Sequence, residues 1–99
     1  SSNLFSSLHT SLSKKQVARL YEALGWRVRK CSWMDYEVVT DWAELVIESE
    51  SPILMHGLVA DLPARAEELV APLRSAGVSF TAECYGPEPN GELLLVLKS

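Results

Sequence analysis

The sequence reads as an α+β domain, and three observations carry that reading. A capped amphipathic helix begins at Lys14. An apolar run at 53–60 is separated from an alternating strand at 78–85 by a second helical stripe. A further apolar run, 93–97, follows a loop rich in proline and glycine. The expected arrangement is a single-layer mixed, mostly antiparallel sheet of about five strands. Two helices pack on one face, and one β-α-β crossover is included.

Each element has a local reason. Ser13 and Gln16 form a capping box, each satisfying a backbone N–H of the other. Val17, Leu20, Tyr21 and Leu24 then fall at helical spacing, and Gly25 ends the expected helix 14–24. Residues 26–32 begin as an alternating strand. Residues 32–46 fit helical spacing as well, through Tyr36, Val39, Trp42, Ala43 and Val46. Their β-branched and aromatic content favours strands at 36–41 and 43–48. Ser49-Glu50-Ser51-Pro52 is turn chemistry. The almost continuous apolarity of 53–60 suggests a strand covered on both faces. Asp61 is expected to cap a helix reaching Ala76, kinked near 68–72 by Pro72. The seventeen residues between strands 53–60 and 78–85 suffice for a right-handed crossover. Residues 1–10 are read as a flexible N-terminal arm, not a signal peptide, because six of the first thirteen residues are serine and no basic or long apolar stretch is present. Residues 11–99 form one domain.

Composition narrows the function. With 47% hydrophobic and 22% charged residues the chain can bury a core without staples. Its longest uncharged apolar stretch, Ser51–Ala60, is about half of a membrane span. A net charge of −4 argues against a nucleic-acid partner. Residues 1–30 carry six basic side chains against Glu22 alone, whereas residues 31–99 carry three against twelve acids. That polarity suits orientation of a partner or second copy. Two cysteines without a framework point to the cytoplasm.

Little in the chain suggests catalysis. His9, His56, Cys31 and Cys84 are too scattered for a metal site, and no phosphate-binding glycine pattern is present, so neither metal nor cofactor is expected. Cys84 with His56, oriented by Glu83 or Asp61, is the one nucleophile–base pair worth naming. Cys84 nevertheless shares the apolar phase of Val78, Phe80 and Ala82, as a buried hydrophobe would.

Aromatic residues are the stronger signal. Tyr21, Trp26, Trp33, Tyr36 and Trp42 lie within twenty-two positions, close to a run of acids from Asp35 to Glu50. Tryptophan, tyrosine and arginine dominate interface hot spots. The leading expectation is therefore a small non-catalytic cytoplasmic binding module of adaptor or immunity type. Its protein partner would be engaged through Trp33, Tyr36 and Trp42, with Trp26, Arg29, Met55 and His56 as further binding candidates. Self-association is also expected, through the apolar strand Leu93–Leu97 or its Leu94 and Val96 face. Two alternatives remain. One is a pocket for a small apolar or aromatic ligand between helices and sheet, lined by Trp26, Trp33, Tyr36 and Met55. The other is a small Cys84/His56 enzyme.

Overall fold

The computed structural model describes residues 2–99. Seven strands form one sheet: β1 (Ser2–His9), β2 (Arg27–Lys30), β3 (Tyr36–Thr40), β4 (Ala43–Glu48), β5 (Ile53–Val59), β6 (Ser79–Tyr85) and β7 (Leu93–Lys98). Their spatial order is β2-β3-β4-β5-β1-β6-β7, and all neighbours pair antiparallel. Helices α1 (Lys14–Glu22) and α2 (Ala66–Ser75) touch each other and form a second layer. The α+β class stands. The expected five-stranded, single-layer mixed sheet is corrected to seven antiparallel strands beneath a helical layer. β5 and β6 both run antiparallel to β1, so the segment β5-α2-β6 does join parallel strands, with β1 inserted between them.

The largest correction is at the N-terminus. Residues 2–9, expected as a loose arm, form the strand that separates β5 from β6. Leu4 and Leu8 are 1% exposed and alternate with Phe5, Ser7 and His9. Serine concealed that alternation. Ser6 points into the core, where its hydroxyl donates to the Met55 carbonyl at 2.6 Å, so burial leaves no unmet hydrogen bond. Ser1 lies outside the described residues.

The helices carry smaller corrections. The capping box at Ser13 and Gln16 is present. α1 stops at Glu22, and Leu24, expected on its inward stripe, lies beyond the end and is exposed. α2 begins at Ala66, not behind an Asp61 cap, because Pro63 disfavours helical geometry at Leu62. Pro72 sits inside α2. It removes the N–H that the Glu68 carbonyl would take. One residue on, the Leu69 carbonyl accepts from the Tyr21 hydroxyl at 2.7 Å. Tyr21 therefore ties α1 to α2 inside the core.

At Gly57 the sheet demands a missing side chain. A Cβ there would lie 1.9 Å from the Glu44 carbonyl oxygen of the neighbouring strand, a backbone atom that cannot swing aside. Gly57→Ala is expected to cost at least ~2 kcal/mol, lowering Tm by roughly 8–16 °C in a thermal melt. Tyr21→Phe is expected to cost about 1 kcal/mol at neutral pH. Burial pushes the Tyr21 phenol well above its ordinary value of 10.0. The unfolded chain therefore ionises first, and stability falls as pH rises above about 10. Denaturant titrations at increasing pH should show that loss reduced in Tyr21→Phe.

Candidate functional site

Because both helices lie on one side, the other face of the sheet has no cover. Strand register identifies what it presents. Arg29, Glu37, Val46, His56, Phe5, Glu83 and Val96 lie opposite one another in a row that crosses all seven strands. Phe5 (41% exposed) and Leu58 (48%) stand near the middle of this face, and Leu94 and Val96 lie at its β7 side. The His56 ring stacks on Phe5 with centroids 5.9 Å apart, and its Nε2 meets the Glu48 carboxylate. Arg29 pairs with Glu37 across β2 and β3. Those ion pairs flank the apolar centre and partly neutralise its surroundings. Two open hollows of about 440 and 480 Å³ indent the β2–β4 side and share Arg27, Val39 and Glu44.

The expected binding trio Trp33, Tyr36 and Trp42 is not assembled on one surface. Trp26 is buried, packed edge-on against Tyr21 at 5.2 Å and Trp42 at 5.4 Å. Trp42 is half-buried beneath the Arg65 guanidinium, 4.2 Å from the ring centroid. Tyr36 is partly covered on the helix side of β3. Trp33 alone is open to solvent, at 87%. It follows β2 whereas Trp42 follows β3, so a strand length, on the order of 16 Å, stands between them. Trp33 sits on a stitched loop. The Cys31 N–H donates to the Asp35 carbonyl at 3.1 Å, Ser32 Oγ donates to Asp35 Oδ2 at 2.8 Å, and Lys14 Nζ lies 3.4 Å from Asp35 Oδ1.

The alternative sites fare worse. Met55 is completely buried and Trp33 almost fully exposed, so the four residues expected to line a ligand pocket share no cavity. Cys84 faces the core and His56 the uncovered side, so the nucleophile–base pairing is corrected: the sheet itself divides them. Burial pushes the Cys84 thiol up, away from the thiolate a nucleophile needs. Among the described residues no group of three His, Cys, Asp or Glu side chains is placed to hold a metal ion. No helix among them is long and apolar enough to cross a membrane.

Of the expected binding residues, Arg29 and His56 share the uncovered face, Trp33 is exposed on its loop, and Trp26 and Met55 are core. Phe5 and Leu58, exposed on that face, are not among the expected residues. Phe5 fell in the supposed arm, and Leu58 in a run expected to be covered twice. His56 held the missing signal, since a polar residue in step with Leu54 and Leu58 marks that side of β5 as uncovered. No protein-family model matches the chain, nor does any curated protein or solved structure.

A thiol reagent at neutral pH is expected to modify Cys31 alone in the native protein and both cysteines after denaturation, since Cys31 is exposed and Cys84 buried. Acrylamide should quench one red-shifted tryptophan component, and Trp33→Phe should remove that component while leaving the protected emission of Trp26 and Trp42.

Proposed function

We propose that this chain is a small non-catalytic binding module that engages a protein partner through the uncovered face of its sheet. The observation that carries the reading is the solvent exposure of Phe5 and Leu58 at the centre of that face. An apolar centre with a charged surround is the usual anatomy of a protein interface. The molecule is 33 Å along its longest axis. With strands about 20 Å long, the face offers roughly 650 Å², close to the ~800 Å² each partner contributes to a standard interface. Glu44 and Glu83 on this face have no ion-pair partner among the described residues, and neither have Arg27 and Lys98, so the surround presents free charges of both signs. The fitting partner is thus a protein surface with an apolar centre and a rim of both charges, the kind of complementarity an adaptor or immunity-type module would use. Two free thiols suit a cytoplasmic setting. Trp33, held out on its stitched loop, supplies a further anchor of the kind that dominates hot spots.

Retention from cell extract on the wild-type chain, compared with Phe5→Glu and Leu58→Glu, tests this reading. Both substitutions fall at exposed positions and should leave Tm within a few degrees. A partner held by the wild type and lost from both variants is the expected outcome. A partner retained by both would overturn the reading. So would a metabolite that raises Tm strongly, because a ligand at 100 times its Kd adds about 2.7 kcal/mol.

A further inference from the structure

The sheet ends in two edges of opposite character. On β2 the exposed side chains are Arg27, Arg29 and Lys30, charges that discourage addition of another strand. β7 reads Leu93-Leu94-Leu95-Val96-Leu97 before its first charge at Lys98. It is apolar on both faces. Leu94 (41% exposed) and Val96 (40%) lie on the uncovered side, while Leu95 and Leu97 are only half covered on the helix side, because α2 packs over β6.

The backbone phase of β7 is fixed by one bond. The Ser99 N–H donates to the Phe80 carbonyl at 3.1 Å, so the pairs Ala82–Leu97 and Cys84–Leu95 are also the hydrogen-bonded ones. The N–H and C=O of Val96, and the N–H of Lys98, therefore point away from β6, where no strand lies. The Lys98 carbonyl accepts from Arg74 Nη1 at 2.9 Å and keeps a second lone pair. A register shift at Cys84/Tyr85 makes Leu94 an extra residue, so the regular part of the edge begins at Leu95.

We propose that β7 pairs antiparallel with β7 of a second copy of this chain, about a twofold axis through Val96. This inference does not rest on the partner reading above. The strand is its own complement. In that register, over the regular part of the edge, Val96 meets Val96 and Leu95 meets Leu97. The paired segment is wholly apolar, so no like charges oppose each other. The half-covered Leu95 and Leu97 of each copy close over the other's on the helix side, and the sheet becomes fourteen strands. Contact through one strand buries less than about 1,200 Å², which places the dimer among weak, concentration-dependent associations.

Sedimentation across roughly 5–500 µM tests it, that being the range where contacts of this size associate. The expected mass rises toward twice the 11.0 kDa of the chain. Val96→Pro removes an N–H that the β6 ladder does not use, and should hold the protein monomeric throughout; Leu58→Glu should leave the dimer intact. In a Cys31→Ser background, Val96→Cys should form a disulfide-linked dimer under mild oxidation and Leu94→Cys should not, since only the axial residue meets its own copy. A monomer at every concentration would overturn the proposal. So would a dimer broken by Leu58→Glu but not by Val96→Pro, or equal cross-linking at positions 94 and 96.

Discussion

β1 is hydrogen-bonded along both sides, to β5 on one and β6 on the other, and no other strand joins the β2–β5 block to the β6–β7 hairpin. The remainder of the sheet depends on this double ladder. Leu4 and Leu8 contribute apolar burial from the middle of the core, and Ser6 fastens to Met55 without a buried polar group going unpaired. The two helices then span the same core, with Tyr21 of α1 reaching a carbonyl of α2. Removing the packing of β1 would leave two smaller sheets, each with an extra unpaired edge.

The uncovered face is the other side of that arrangement. Two helices of nine and ten residues cover one surface of the sheet, leaving β7 half covered at its edge. The opposite surface keeps its apolar side chains in water, tempered by the pairs Arg29–Glu37 and His56–Glu48. Sheets that tolerate one wet face are antiparallel, and this sheet is antiparallel throughout. Fold and candidate surface thus share one cause: where the chain places its helices.

The sequence made the local elements legible and the long-range ones less so. α1 was plain from Ser13, Gln16 and its apolar stripe, and β6 from the strict alternation of Val78 to Tyr85. Strands at 36–40 and 43–48 prevailed over the competing helical spacing because their partners lie next to them in sequence. β1 was hidden for the converse reason. Its partners lie about fifty and eighty residues away, and serine on the buried side erased the contrast that marks a half-buried strand. For the candidate surface, aromatic clustering along the chain was a poor guide, because the aromatics that do meet in space belong to the core. Trp26 and Trp42 pack together in and beside the core, while Trp33 stands alone in its loop. Phe5 and Leu58 became visible only once strand register aligned them.

A central strand that comes early in the chain has a consequence for synthesis. The chain leaves the ribosome at about 5–20 residues per second. β1 therefore emerges seconds before β5 and still longer before β6, and in that interval it has neither flanking strand. Local structure such as α1 forms within microseconds, but the sheet cannot close around β1 until β6 has been made. Until β5 follows, the nascent chain carries its future centre as an unpaired segment, and Ser2 and Ser6 on its inward side keep that waiting segment less adhesive than an all-apolar strand.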